Sequence, residues 1–475
     1  MFGTAHNILT LGVPPRTMHV AVVEPPGAVE RDLAYGCWHR RKWVSYHWPP
    51  LHLGYVAAVL QRSGHEVSLL EANALGAGAI VDRLEDLAPD VVVAGTSTRT
   101  FRDDSSFLSG LGDGVARVLF GDLPSVRPDA VLTACDAAVV GEAEAVLPDL
   151  LHALEDGKDG ADITGVRVRR KGCTTGSGRG VITDLDSLPL PARHLYAGDY
   201  SNPLAVRTPF TTVLASRGCP HGCTFCTARI VQGRTFRTRS PANIAQEIDL
   251  LEANGYREVF FRDENIAHDK AWFLAVADDL AARDMVWMAN ARADALDEDV
   301  VDAMADSGCH LVKLGVESGS QHVLDSLGKG SRVDDARRAV ALCKDRGVSV
   351  LAHFLMGAPG QTVEDLQRTA DFALELDCDL ASFDLLLPLP GTPLFDRLVT
   401  EGRISLDDVL ELPATQLAAR SAEATAAELE DAYASAFRRF YLRPRLVARH
   451  ALAAASPERA AALARATGEL WRGLA

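Results

Sequence analysis

The sequence predicts an α/β protein of two parallel units in tandem, a doubly wound sheet and then an open, partial six-strand barrel, closed by a helical region. Three observations predict it. Short apolar runs such as residues 91–95 (VVVAG) alternate with helix-period segments from Met18 onward, the pattern of parallel strands. From Thr211, strand followed by helix repeats six times, a partial form of the parallel barrel with its active loops at the carboxyl ends. From about Arg403 the chain is Ala-rich and helical in period, without strand signal.

In the first unit, residues 18–23 form an apolar run ending in Glu24-Pro25-Pro26-Gly27, a strand feeding a loop. After Pro49-Pro50-Leu51 a helix pattern places Leu53, Val56, Ala57 and Leu60 on one face and stops at Ser63-Gly64. Residues 66–71 and 91–95 read as strands around a helix at 80–87, and 118–121 and 137–141 as two further strand ends. The third strand ends in Gly95-Thr96-Ser97-Thr98, the fourth at Gly121, and the last runs into Gly141-Glu142-Ala143-Glu144. Gly and hydroxyl residues at strand ends suit a cofactor lying on the carboxyl edge of a sheet, and equally occur in any domain of this doubly wound type. Residues 35–48 interleave Trp38, Trp43 and Trp48 with cations, either a lid or a surface loop pinned by tryptophans.

Residues 157–204 read as a linker, Gly/Ser/Thr-rich at 171–180 and extended at 184–191. The barrel strands fall at 211–216, 258–262, 286–292, 311–316, 348–356 and 381–387. Ser240-Pro241 opens the first barrel helix, with Ser as cap and Pro at the first helical position. Helix patterns at 270–282, 297–307, 332–346 and 362–376 separate the later strands. The predicted division is 18–156, linker 157–204, barrel 205–402 and helical region 403–475.

The 475 residues carry 48 basic and 64 acidic side chains, a net charge of −16, which argues against a broad nucleic-acid or anionic-membrane surface. Nine cysteines are too sparse for a secreted disulfide scaffold. No apolar run approaches the roughly 20 residues of a membrane span, and residues 1–17 lack the cationic start and apolar core of a signal peptide. A cytoplasmic protein is expected.

The chemistry concentrates in Arg217-Gly218-Cys219-Pro220-His221-Gly222-Cys223-Thr224-Phe225-Cys226, a loop directly after a strand. Three thiolates in one short loop suit a metal centre better than packing. They are one short of the four that close a structural tetrahedral site, so either a metal position stays open for a reactive ligand or a distant residue completes a zinc site. Cys173, Cys309, Cys343 and Cys378 read as ordinary thiols or small core residues, and Cys37 and Cys135 carry no role.

Cys-x3-Cys-x2-Cys with an aromatic before the last cysteine resembles the radical S-adenosylmethionine (SAM) superfamily, and the resemblance spans roughly residues 205–400. It implies a [4Fe–4S] cluster on Cys219, Cys223 and Cys226, with SAM at the open iron. It implies further that Asp263 and Glu264 hold the SAM amino group and that Arg292 pairs with its carboxylate. Glu317 and Ser318 would hold ribose hydroxyls or the methionine end. Phe225, Gly357 and Ala358 would line adenine, the glycine permitting close backbone approach. Arg-Asp-Glu-Asn stands where many members have Gly-Gly-Glu. Leu387-Pro388-Leu389-Pro390-Gly391-Thr392-Pro393 matches a barrel-closing turn of the family.

The first unit is similar to the cobalamin-binding domain joined to many members, through Pro49-Pro50-Leu51-His52-Leu53-Gly54, Phe120-Gly121-Asp122 and Gly141-Glu142-Ala143-Glu144. By that resemblance Leu51, Thr96, Ser97, Thr98, Gly121, Gly141 and Glu142 bind cobalamin. No Asp-x-His-x-x-Gly occurs, so no histidine is marked as a lower axial ligand to cobalt. The resemblance implies reductive SAM cleavage to a 5′-deoxyadenosyl radical, then C-methylation of a small, specialised-metabolism substrate through methylcobalamin. A reductant such as flavodoxin or ferredoxin would supply electrons. A cyclase or rearrangement enzyme with the same domains, or a non-catalytic cobalamin or iron–sulfur protein, are the alternatives.

Overall fold

The computed structural model describes residues 17–27 and 48–444, apart from 113, 199, 201 and 203. Trp38, Trp43 and Cys37 lie outside the described residues.

Seven strands build the first sheet: β1 (His19–Glu24), β2 (Glu66–Glu71), β3 (Val91–Thr96), β4 (Ala116–Gly121), β5 (Ala137–Val139), β6 (Val166–Arg170) and β7 (Cys173–Thr175). Their order is β2-β1-β3-β4-β5-β6-β7. β1 to β5 pair in parallel, and β6 and β7 add antiparallel. The strands are apolar throughout because both faces are covered. Val20, Val22, Val91 and Val93 enter one core and Ala21, Val23, Val92 and Ala94 the other, the period-2 alternation of a pleated strand.

The expected linker differs here. Residues 166–175 form the β6–β7 hairpin at the edge of this sheet, with Val166 and Val168 in its core. The two turn residues, Lys171 (φ 49°) and Gly172 (φ 80°), are both left-handed, the backbone that matches a two-residue hairpin turn to the twist of its strands. The Gly/Ser-rich composition reads as a loop because it masks this short alternation.

The second unit is a six-strand sheet in the order β15-β14-β13-β12-β11-β8, all parallel. It consists of β8 (Phe210–Val213), β11 (Glu258–Phe261), β12 (Val286–Arg292), β13 (Cys309–Glu317), β14 (Ser349–Met356) and β15 (Leu380–Leu385). Between β8 and β11, β9 (Ser216–Arg217) and β10 (Arg237–Thr238) form a small antiparallel pair enclosing the cysteine loop. Outward residues of β11 to β15 join the helices in one large core that contains Trp287, Val350 and Phe383. Inward residues Phe260, Met288, Leu311 and Leu351 plug the barrel's amino end with Trp48 against them. Several barrel helices begin where the sequence provides a cap. Ser240 accepts from Asn243 N, and Thr362 and Asp365 form a reciprocal capping box.

Helix Ala426–Tyr441 packs on the outer face of β15, with Phe437 and Phe440 beside Phe383. The two units also meet directly. Leu51 and Tyr55 of the first pack with Leu214 of the second. A Cβ on Gly391 would stand 2.4 Å from Val126 Cγ1 and 3.1 Å from Ile230 Cδ1, so the barrel-closing turn fits between helices of both units only as glycine.

Candidate active site

The cysteine loop is anchored through both its backbone and its side chains. Gly218, at φ 84°, leaves no room for a Cβ, which would fall 2.1 Å from Thr235 O. Its N–H donates to Gln232 Oε1 at 2.9 Å. Thr224 N donates to Leu327 O at 2.8 Å, and Leu394 N donates to Thr224 O at 2.9 Å, so the end of helix Gln321–Ser326 and the first turn of helix Pro393–Thr400 hold the loop. Cys219, Cys223 and Cys226 are half-buried free thiols. Burial pushes the Cys226 and Cys219 thiols up, and the Glu264 carboxylate near both adds to it. No three His, Cys, Asp or Glu side chains among the described residues converge on one metal point; in a cubane each thiolate takes a different iron. Iron–sulfur clusters are held by thiolates, ordinarily four, and three in one loop fit a cluster that keeps one iron open.

The strand ends facing this loop divide into residues that point to it and residues engaged elsewhere. Arg292 Nη1 lies 3.7 Å from Cys223 Sγ. The rest of its guanidinium is committed, bidentate to Asp294 at 2.9 and 2.6 Å and to Lys329 O at 2.8 Å. Glu317, at the end of β13, sits at φ 67°, strained for a residue with a side chain, and accepts from Lys329 Nζ at 2.6 Å. Phe225 packs against the cluster containing Ala358 and Leu386.

Other expected residues have partners within the fold. Asp263 is fully buried, its carboxylate bonded to Ser216 Oγ at 2.5 Å and Ala215 N at 3.2 Å. It secures the barrel wall, and Glu264 is the neighbour that acts on the cysteines. Ser318 is equally buried, sharing a 2.9 Å hydrogen bond with Thr369 Oγ1 and accepting from Ser320 N, so it shapes a turn. The N–H groups of Gly357 and Ala358 both donate to Gln361 Oε1, and Gly357 O accepts from Ser421 Oγ. Gly357 therefore faces helix Ala414–Ala419, where a Cβ would meet Ala418 at 2.8 Å.

At the carboxyl edge of the first sheet, a narrow cavity opens between the two units. Ser97, Gly121, Asp122 and Gly141 line it from strand ends, and His52 and Val56 from helix Leu51–Arg62. The opposite wall is Thr227, Ala228, Val231 and Gln232, directly after Cys226. Gly121 (φ 132°) leaves no space beside Thr96 O, 1.9 Å from where a Cβ would be. Burial raises Asp122 to about 6, against the hydrogen bond from Thr98 Oγ1 at 3.0 Å. Small strand-end residues around a cleft at the carboxyl edge mark the place where doubly wound sheets bind cofactors.

Here too some of the expected residues have partners within the fold. Thr96 is buried and donates to Asp104 at 2.6 Å, Thr98 holds Asp122, and Leu51 packs against the barrel. Glu142 is buried and faces the cysteine loop, bonded to Arg217 at 3.0 Å, Arg237 at 2.7 Å and Ile182 N at 2.7 Å. Arg217 also reaches Glu144 at 2.8 Å. Sequence reasoning gave Arg217, Arg237, Glu144 and Lys329 no role, because each gains meaning only from a distant partner.

A parallel barrel with three thiols at its carboxyl edge, facing a doubly wound sheet across a narrow cleft, fits an iron–sulfur enzyme joined to a cofactor domain. Residues 213–373 match the radical SAM superfamily, and residues 43–151 match the B12 binding domain. The chain belongs to the radical SAM superfamily, in the branch that carries a B12-binding domain. It is a cobalamin-dependent radical SAM enzyme of the methyltransferase or cyclase type, with a [4Fe–4S] cluster, SAM and cobalamin. It is 28% identical over 411 residues to an uncharacterized methyltransferase of Pyrococcus horikoshii, covering 84% of this chain and 89% of that protein. It is 26% identical over 383 residues to the anaerobic magnesium-protoporphyrin IX monomethyl ester cyclase of Rubrivivax gelatinosus, covering 75% and 67%. In fold it is similar to the radical SAM methyltransferase TsrM of Kitasatospora setae, with TM-score 0.66, 18% identity and coverage of 81% and 75%. The cobalamin-dependent radical enzyme OxsB gives TM-score 0.69 at 15% identity, covering 94% and 72%. Among the described residues no helix is long and apolar enough to cross a membrane.

Proposed function

We propose that the protein methylates a carbon of a small molecule, with SAM as both radical source and methyl source. The observation that carries this reading is the cavity that strand ends of the cobalamin-type sheet share with the residues directly after Cys226. On this reading the site for the methyl carrier lies beside the site for the radical.

When bound, the cluster supplies the electron that cleaves SAM, and cobalamin carries the methyl group. The residues of the chain have the following roles. Cys219, Cys223 and Cys226 hold the cluster. Arg292 Nη1, 3.7 Å from Cys223 Sγ, places positive charge beside the thiolates and toward the SAM carboxylate. Glu264 addresses the SAM amino group, Glu317 is fixed by Lys329 for the ribose or methionine end, and Phe225 with Ala358 bounds adenine. Ser97, Gly121 and Gly141 shape the corrin cleft. In the barrel lumen, Arg262 and Lys313 lie over the Trp48 and Phe260 rings. His353 shares a hydrogen bond with Ser382 Oγ at 2.5 Å, and Ser382 donates to Asp384 at 2.9 Å. These groups line the space we assign to the substrate. We place the reaction in the cytoplasm, with flavodoxin or ferredoxin as reductant.

A second reading, cyclisation without methyl transfer, has the support of the relative named as a cyclase. Anaerobic turnover with candidate substrates separates the two. Methyl transfer yields S-adenosylhomocysteine and 5′-deoxyadenosine in equal amounts with a heavier product. Deoxyadenosine accompanied by a product that has gained no methyl group sinks the methyltransferase reading.

A further inference from the structure

We propose that the substrate carries an oxyanion, a carboxylate or a phosphoryl group, seated in the barrel lumen on Arg262 and Lys313. The proposal deepens the reading of the lumen as the substrate's space and rests on it.

Five barrel strands repeat one pattern. Phe260, Met288, Leu311, Leu351 and Leu380 form the apolar plug at the amino end. Two residues beyond each, on the same inward face, stand Arg262, Asn290, Lys313, His353 and Ser382. The contacts agree with this alternation. Arg262 Cζ lies 5.3 Å from the Phe260 ring centre and Lys313 Nζ 4.5 Å from it, and His353 Nδ1 meets Ser382 Oγ at 2.5 Å. These five side chains make a polar floor laid on an apolar plug. Arg262 is buried and the other four are half-buried, so the lumen stays accessible above the plug.

The charge of this floor is one-sided. Arg262 and Lys313 approach the same two rings, at 5.1 and 5.2 Å from the centre of Trp48 and 5.3 and 4.5 Å from that of Phe260. The aromatic faces attract each cation and so gather two like charges at one place. The five floor residues include no carboxylate. Asp384, the next inward residue of β15, stands one level higher on the opposite wall and accepts from Ser382 Oγ at 2.9 Å. Nearer the cysteine loop, Arg292 is bidentate to Asp294 and Glu317 is paired with Lys329. A guanidinium and an ammonium side by side offer several N–H donors to one group with two or three anionic oxygens. Partial burial makes that attraction stronger than it is in water. Asp384 repels the same group, which places the anionic end on the β11–β13 side. The other end of the substrate then faces the cysteine loop at the carboxyl edge.

The test is anaerobic binding to the cluster-reconstituted full-length protein, followed by ligand-observed nuclear magnetic resonance. The probes are benzoate, phenyl phosphate and the neutral benzamide. One of the two anions should bind roughly tenfold or more tightly than benzamide, and which one does so separates carboxylate from phosphoryl recognition. Arg262→Met and Lys313→Met should each weaken that anion roughly tenfold, with benzamide binding and iron content at their wild-type values. Lys313→Arg should keep the anion bound. Where buried Arg262 cannot be replaced without loss of iron, Lys313→Met decides the outcome. Benzamide binding as tightly as both anions overturns the proposal, as does an anion affinity indifferent to Lys313→Met, or no binding of either anion. Turnover distinguishes this from a failure of the methyltransferase reading. Anion binding at Lys313 with an unmethylated product sinks methyl transfer alone, and methyl transfer to a substrate without an oxyanion sinks this proposal alone.

Discussion

The guanidinium of Arg217 lies 3.0 Å from Glu142 and 2.8 Å from Glu144, joining the strand that enters the cysteine loop to the loop that leaves β5. All three side chains are at most 5% exposed. Burial opposes these charges. Glu144 nevertheless titrates below its ordinary value because Arg217 is beside it, and Arg217 above its own because of the two carboxylates.

Breaking this clasp from one side leaves buried charge without a partner. Arg217→Met is expected to lower stability by about 3–5 kcal/mol. Glu144→Gln keeps an acceptor and should lose about 1–3 kcal/mol. Urea unfolding of the iron-free protein under reductant gives the order. Equal midpoints for wild type and both variants would mean that the clasp does not hold the units together.

Gly121→Ala attacks the corrin side alone. Its φ of 132° and the 1.9 Å approach to Thr96 O force the ends of β3 and β4 apart, a strain of about 1–3 kcal/mol. Anaerobic reconstitution followed by metal counting should show cobalt lost and iron retained. Iron lost in step with cobalt would mean that the cysteine loop cannot form without an intact sheet edge.

How far the sequence could be read follows from how local each signal is. The strands around Val91 to Ala94 are legible because both faces are buried and every residue is apolar. The cysteine loop is legible because its chemistry lies within ten residues. The β6–β7 hairpin is not, since its alternation spans few residues and its turn depends on a left-handed Lys171. The partners of Asp263 and Glu142 within the fold are also hidden. Asp263 meets Ser216 47 residues away and Glu142 meets Arg217 75 residues away, separations that no motif records. A strand-end carboxylate looks the same whether it faces a ligand or a neighbouring strand.

Asp122 and Asp263 make stability fall with rising pH. Burial raises both to about 6 from an ordinary 3.8, against hydrogen bonds from Thr98 and Ser216. The folded state binds their protons more tightly than the unfolded state does. Their contribution is therefore fully present below the unfolded value and is lost as pH rises through about 6. A shift of this size corresponds to about 2–3 kcal/mol for each group. Asp122→Asn should flatten the fall in unfolding midpoint across this window, while wild type declines. A wild-type midpoint that rises with pH there, matched by the variant, would assign the titration to other groups.

Glu317 and Lys329 form the unit that fixes the end of β13. Lys329 Nζ stands 2.6 Å from Glu317 Oε1, with side chains 6% and 9% exposed, and the glutamate pays for this contact with a left-handed backbone. Glu317→Gln and Lys329→Met should each destabilise by about 3–5 kcal/mol through the charge left behind. The double variant should lose less than their sum, with a coupling of about 0.5–3 kcal/mol. Glu317→Gly relaxes the backbone but strands Lys329, so it should be the least damaging single change at 317 and still weaken SAM binding measured by calorimetry. If SAM affinity survives in Glu317→Gly, the strained carboxylate serves the fold alone, and the ribose or methionine contact must come from another strand end. If the two single variants add without coupling, Lys329 is not what holds Glu317 in place, and its strain needs a different partner.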